Sequence, residues 1–406
     1  VRELTIYSDY HGGAVCEDCI PGRCTGCDYE TSYLEDGYCE DCYPNRNAEL
    51  PSIENREVEE ETNVLEADLI IPLIPGRENV RRVGIEIEGG GSWRSLGAAL
   101  FARGLTPHAE LGSYHEQTSM GSDSRFWSLE RDSSVDWELV SPPLNIANRT
   151  DIRQLRQALQ IIQAQIKSKE VWLDLRCGLH IHVGAEKAGI AHAWRLGVIW
   201  GFMEDLIFRL GAAKWPMHRA VTNGLHYCQP TPKGAKTKLA FGRQMDNEMD
   251  RYNALSFQNY ISSFTRNCTC GAVRYDSWDE CECRLGKCTF EFRVFNTSAN
   301  MHKIHAYMAL CQAMVAWATS EQEVDADKFD DHAFVNKHFD DINDEAQAAL
   351  ILGWQDGLSF IFNELPLTKG ERLNLIYCIE NSEVNAVGED FIRALNITTT
   401  EEVAIA

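Results

Sequence analysis

Apolar and polar side chains alternate along three short stretches of the chain. In VGIEIEG at 83–89, GLHIHVG at 178–184 and TFEFRVF at 289–295, aliphatic or aromatic residues take every second position and charged or imidazole side chains fall between them. A period of two is that of a strand, whose successive side chains point to opposite faces. It sets Glu86 and Glu88 against Ile85 and Ile87, and His180 and His182 against Leu179, Ile181 and Val183. Likewise, Glu291 and Arg293 oppose Phe290, Phe292 and Val294. The residues just before 178 alternate as well, so VWLDLRCGLHIHVG reads as one strand running from Val171. Elsewhere the apolar period is three to four. DIRQLRQALQIIQAQIKSK at 151–169, a stretch from about 190 to 211, and Met301 to about Thr319 are predicted helices. Beyond Ser320 the chain is acidic and helix-patterned, with AQAALILGWQDGLSFIFNEL its clearest apolar segment. Strands and helices interleave, which predicts an α+β protein.

Composition narrows the function classes. Of the 406 residues, 44% are apolar, enough for a sizeable core. The 61 acidic against 38 basic side chains leave a formal charge of −23, which repels phosphate backbones and anionic lipid headgroups. Nucleic acid and membrane are therefore not the expected partners. The most apolar stretch, Leu196 to Leu210, is interrupted by Glu204, Asp205 and Arg209 and falls short of the roughly 20 apolar residues of a membrane span. VRELTIYSDYHGG lacks the features of a secretory signal, so the expected location is cytoplasmic.

An alternating strand with a solvated polar face explains any one of the three stretches. Taken together they need more, because their polar positions hold metal- and phosphate-binding residue types almost exclusively, as the walls of a charged lumen would. Carboxylates with one or two imidazoles suit hard divalent cations, and an arginine two residues from a carboxylate can grip a phosphoryl group. RDSSVDWELVSPPL adds Asp132, Asp136 and Glu138, the last ending a strand that faces the same space. A plain acidic loop before a turn is the alternative for that segment.

The cysteines speak of metal. There are 15, and between Cys16 and Cys42 they form three C-x-x-C pairs: Cys16 with Cys19, Cys24 with Cys27, and Cys39 with Cys42. Two such knuckles supply the four thiolates of a tetrahedral zinc site. The last two pairs resemble a zinc ribbon, and His11 is a candidate to complete a second site with Cys16 and Cys19; a redox pair or unligated thiols are the alternatives. A second group, Cys268, Cys270, Cys281 and Cys283, forms two C-x-C pairs able to staple a hairpin through zinc, with Cys288 as a possible substitute. Cys177, Cys228, Cys311 and Cys378 read as isolated buried thiols. KGAKTK at 233–238 is either a loop closing over phosphates or a solvated loop. The expected organisation is a cysteine-rich zinc module at 1–45, an acidic linker at 46–82, a catalytic domain at 83–319 with a cysteine-rich insert at 267–289, and an acidic helical extension at 320–406.

In chain order, G-x-E-x-E, D-x-S with E-L-V-S-P, G-L-H-I-H-V, R-Y-N and E-F-R resemble the amidoligase family, over about residues 83–318. That family groups with glutamine synthetase and gamma-glutamylcysteine ligase among the carboxylate-amine ligases. The resemblance implies a glutamine synthetase-like catalytic domain, a curved and mainly antiparallel sheet with flanking helices. It implies that Glu86, His180 and Glu291 ligate one magnesium and that Glu88 and Glu138, with Asp132, hold another. His182 would contact nucleotide phosphate, Arg293 would stabilise the transferred phosphoryl group, and Arg219, Arg251 and Asn253 would help to bind the nucleotide. For the last three, a structural salt bridge or surface contact is an equal alternative. The implied activity is ATP- and magnesium-dependent joining of a carboxylate to an amine through an acyl phosphate, with zinc as a structural metal and a peptide or protein as a possible acceptor. Competing readings are a phosphotransferase on the same fold, a zinc metallohydrolase, and a non-catalytic zinc-containing interaction protein.

Overall fold

The computed structural model of the chain describes residues 82–113, 125–185, 188–212, 218, 228–233, 235–265, 288–320, 325–329, 335, 337, 341–385 and 387. It also describes the backbone of four two-residue strands near the start. These pair antiparallel as β1 (Tyr7–Ser8) with β2 (Ala14–Val15), and β3 (Gly22–Arg23) with β4 (Glu30–Thr31). The zinc-module cysteines from Cys16 to Cys42, Cys268, Cys270, Cys281 and Cys283 of the insert, and Arg219 lie outside the described residues, as does the linker up to residue 81.

The three alternating stretches become neighbouring strands. β5 (Val83–Gly91) lies between β9 (Gly178–Gly184) and β7 (Trp137–Val140); β9 pairs on its other side with β11 (Thr289–Asn296). β6 (Ser128–Glu130) closes one edge and β10 (Leu255–Ser256) the other, and every pairing between these strands is antiparallel. Their apolar face, which includes Ile85, Ile87, Leu139, Ile181, Phe290 and Phe292, is fully buried. It is covered by α3 (Ile190–Leu210) and α6 (Met301–Ala318). Burying such side chains is worth about 1.5–3 kcal/mol each, so the register that keeps them inside also fixes the opposite face.

Shorter helices α1 (Trp93–Ala102), α4 (Lys238–Asn247) and α5 (Gln258–Thr265) lie between these elements. Local chemistry sets the helix starts. α2 (Arg149–Lys167) begins where the Asn148 side chain accepts the Thr150 N–H, with Asp151 in its first turn and Lys167 in its last. In α6, Asn300 caps the N–H groups of His302 and Lys303. One predicted strand is divided. Val171–Trp172 forms a short β8 against the end of β5, and a turn at 174–177 separates it from β9. Asp174 makes the turn: its carboxylate accepts the Arg176 N–H and its carbonyl the Cys177 N–H. Backbone hydrogen bonding to an aspartate competes with the ladder and prevails there over the alternating pattern.

The tail after Ser320 folds against the sheet domain. α7 (Asp344–Asn363) packs on α3, and α8 (Lys369–Glu380), started by a Thr368–Glu371 capping box, packs on α6. Three buried charged residues of α3 help to organise this side. Glu204 accepts from the Trp200 indole at 2.6 Å and the Thr231 N–H at 2.6 Å, and pairs with Lys233 at 3.3 Å. Lys233, the first residue of the KGAKTK run, is thus tied to α3, while Lys236, Thr237 and Lys238 of the same run are exposed. Asp205 accepts from the Trp354 indole at 2.9 Å and the Val335 N–H at 3.1 Å. Arg209 bonds the Val335 and Lys337 carbonyls and Glu383. Cys177, Cys228, Cys311 and Cys378 are buried, as is Cys288, which accepts a hydrogen bond from Ser263.

Candidate functional site

The register of the sheet collects the charges. Glu86 pairs with His180, Glu88 with Glu138, and His182 with Glu291, so these side chains share the face turned away from α3 and α6. That face is closed off from water: Glu88, His180 and His182 are each 3% exposed, Glu291 6% and Arg293 7%. Solvated strand faces look different, because unsatisfied charge at such burial is costly.

Each ring nitrogen of His180 meets a carboxylate, Nδ1 at 3.2 Å from Glu86 and Nε2 at 3.3 Å from Glu88. His182 Nε2 lies 3.0 Å from the other oxygen of Glu86 and 4.0 Å from Glu291, while its Nδ1 contacts the Thr289 hydroxyl at 3.3 Å. Glu88 is held by the Gly178 N–H at 2.5 Å. Arg293 donates to Glu291 at 2.5 Å, and its Nε has no hydrogen-bond partner among the described residues. A register shift between Phe292 and Phe295 places Arg293 in an irregular stretch of β11. Such bulges re-aim side chains.

Sequence reasoning missed Glu130. It is 1% exposed and pairs with Glu138, so Glu88, Glu138 and Glu130 form a row of carboxylates across three strands. The signal was available, since WSLE alternates like the other strands, with Ser128 and Glu130 opposite Trp127 and Leu129. The Ser128 hydroxyl, buried on the same face, has no hydrogen-bond partner among the described residues. Glu138 lies within β7, where the sequence had it ending a strand. Asp132 belongs to the loop after β6, and its carboxylate accepts the Ser134 N–H at 2.6 Å. Asn253 is buried, its amide shared between the Asp250 N–H and the Pro230 carbonyl, and Arg251 is exposed and stacks on Tyr252.

The electrostatics follow from the crowding. Burial, with the charges of Glu86, Glu88, Asp132 and Glu130, pushes the Glu138 carboxyl well above the usual carboxylate range. Burial would push Glu291 up too, but the Arg293 guanidinium and the two imidazoles outweigh it and hold Glu291 at about 2. Arg293 in turn is kept charged against burial by Glu291, Glu88 and Glu86. Among the described residues, potential metal-ligand atoms come within 4.8 Å of one another in two sets, Glu86 with His182 and Glu291, and Glu86 with Glu138 and His180. Glu86 belongs to both, and the imidazoles divide between them differently from the grouping the family resemblance implied. Carboxylate oxygens suit hard divalent cations, an imidazole in each set also suits zinc, and soft thiolates are absent from both sets.

A group whose folded pKa lies above its unfolded value lowers stability as pH rises past the ordinary carboxylate range. Glu138→Gln is therefore expected to melt higher than the unaltered chain in EDTA at about pH 8, by roughly 1–3 kcal/mol, with the gap closing near pH 4. Thermal denaturation at the two pH values checks this; a variant that melts lower at both would show Glu138 to be favourably paired.

A family model described as "Putative amidoligase enzyme" matches residues 79–315, more than half of the 406-residue chain. The chain belongs to this amidoligase family. The matched region runs from just before β5 nearly to the end of α6 and contains every strand of the large sheet. Membership makes amide-bond formation between a carboxylate and an amine the class of activity. No curated protein matches the chain. Among the described residues, no helix is long and apolar enough to cross a membrane.

Proposed function

We propose that this amidoligase is an ATP- and magnesium-dependent carboxylate-amine ligase working through an acyl phosphate on a glutamine synthetase-like scaffold. The observation that carries the reading is the buried face on which Glu86, Glu88, Glu130, Glu138 and Glu291 converge with His180, His182 and Arg293. Five carboxylates against one guanidinium leave excess negative charge where water is scarce. Divalent cations would neutralise it and, when bound, screen the charge of a triphosphate and of the phosphoryl group in transfer.

In this proposal Glu86, His182 and Glu291 would hold one cation, and Glu86, Glu138 and His180 another, with Glu88 and Glu130 completing the carboxylate lining. A carboxylate is a poor electrophile because its oxygen leaves reluctantly. Attack of a substrate carboxylate oxygen on the terminal phosphorus of ATP releases ADP and gives an acyl phosphate. The amine then adds to the acyl carbon, inorganic phosphate leaves, and the amide forms. Arg293, anchored through one nitrogen to Glu291 and with its Nε without a hydrogen-bond partner among the described residues, is placed to bond an oxyanion. Thr289 and Glu88 fix the imidazole rings, so their positions need little reorganisation during reaction. Structural zinc is proposed for the cysteine pairs outside the described residues.

The test is product analysis with purified protein, ATP, magnesium, and mixed carboxylate and amine donors. ADP, phosphate and a new amide are expected together. A phosphorylated acceptor without amide would make the chain a phosphotransferase, and hydrolysis independent of ATP would make it a metallohydrolase.

A further inference from the structure

β7 runs into Ser141, Pro142 and Pro143, none of which brings charge to the site. The prolines have no backbone N–H to give, so the ladder between β5 and this segment is interrupted. Register records the interruption. Glu86 pairs with Val140 and Val83 with Leu144, so two residues of β5, Gly84 and Ile85, face three, Ser141, Pro142 and Pro143. This one-residue excess is a bulge, and a bulge disrupts the ladder locally. Ser141 bridges it with its side chain. Its N–H donates to the Ile85 carbonyl at 2.8 Å, as in an ordinary ladder, but the Ile85 N–H is accepted by the Ser141 hydroxyl at 2.9 Å. The same hydroxyl donates to the Pro142 carbonyl at 2.8 Å, and the residue is 3% exposed. A hydroxyl can do both because one oxygen carries a proton and lone pairs. Past the bulge, Val83 and Leu144 exchange both of their backbone bonds at 2.8 Å.

The bridged bond lies one residue from Glu86, which belongs to both sets of ligand atoms. On its other edge β5 is held by regular pairing with β9, from Val83 with Val183 to Ile87 with Leu179. The β7 edge is therefore where the backbone around Glu86 can yield, and the Ser141 hydroxyl closes that edge. Little movement is tolerable there. Glu86 reaches His180 Nδ1 at 3.2 Å with one oxygen and His182 Nε2 at 3.0 Å with the other, so a displaced backbone at Ile85 would shift it against both imidazoles. Ligands held by such supporting hydrogen bonds need little reorganisation to meet a metal.

We propose that Ser141 is a positioning residue whose hydroxyl fixes the β5 backbone at the bulge so that Glu86 can serve both cations; this rests on the cation sites proposed above. Calorimetry of the full chain with manganese reads it without ATP. Ser141→Ala is expected to bind manganese about tenfold more weakly. Thr368→Ala, which removes the cap of α8, controls for lost stability and is expected to bind as the unaltered chain does. The unaltered chain supplies a second measurement, because coupling between bulge and cation is reciprocal. Saturating manganese is expected to slow hydrogen exchange at the Ile85 amide about tenfold and to leave the Glu371 amide, which the Thr368 hydroxyl accepts, unchanged. Unweakened binding in Ser141→Ala, equal weakening in the two variants, or the same exchange response at both amides would overturn the proposal. An unaltered chain that binds no manganese would remove the cation sites themselves, and the role of Ser141 with them.

Discussion

Glu291→Gln is expected to lower amide formation by about a thousandfold while the protein stays folded. The expectation rests on what Glu291 touches. Its carboxylate is ionised far below neutral pH by Arg293, with support from His182 and His180, against the pull of burial. It belongs to one of the two sets of ligand atoms and holds Arg293 at 2.5 Å. Glutamine keeps the shape and one oxygen but removes the charge. The cation would lose a ligand and Arg293 its counter-charge in a site where fixed electrostatics supply most of the acceleration, and loss of one such contact typically costs 10²–10³ in rate. Because Arg293 and the two imidazoles outweigh burial and the Glu86 repulsion, the ionised carboxylate stabilises the fold at neutral pH, and glutamine should also cost about 2–3 kcal/mol of stability. Steady-state ADP release with circular dichroism checks both halves, and a folded variant turning over normally would remove Glu291 from the site.

The second large effect is expected far from the chemistry. Arg209→Ala should destabilise the chain by about 3–5 kcal/mol. Arg209 is 1% exposed and reaches two segments of the tail, one through the Val335 and Lys337 carbonyls and the other through Glu383. It also lies 3.7 Å from Asp205, whose carboxylate anchors the Trp354 indole. Alanine would take a donor from two carbonyls and from the Glu383 carboxylate and a nearby counter-charge from Asp205, which costs more than the pairs themselves contribute. The measurements are a urea or thermal melt and limited proteolysis, with early cleavage expected after residue 320. A change under 1 kcal/mol would mean that α7 and α8 hold without this clamp.

The strands that carry the site were legible because alternation is a local property. Ile85, Ile87, Ile181, Phe290 and Phe292 announce which face is buried, and the charged residues between them then have only one face to occupy. Glu130 was equally legible in WSLE but was passed over because its stretch is short and lies beside a loop. The turn at 174–177 was not legible from periodicity, since it depends on one carboxylate bonding its own backbone. The Lys233–Glu204 pair was not legible either, since the two residues lie 29 positions apart and meet only once α3 is packed.

Sequence alone determined the type of β5, β9, β11, α2, α3 and α6, the choice of charged against apolar face, and the set of residue types available for cation and phosphate chemistry. Each follows from side-chain period and functional-group chemistry, which need no knowledge of neighbours. Tertiary structure alone decided the pairing of Glu86 with His180 and of Glu88 with Glu138, the sharing of Glu86 between two ligand sets, and the docking of α7 and α8 on α3 and α6. Those depend on strand order, register and burial, because contacts between residues about 50 to 200 positions apart exist only once the chain has closed around its core.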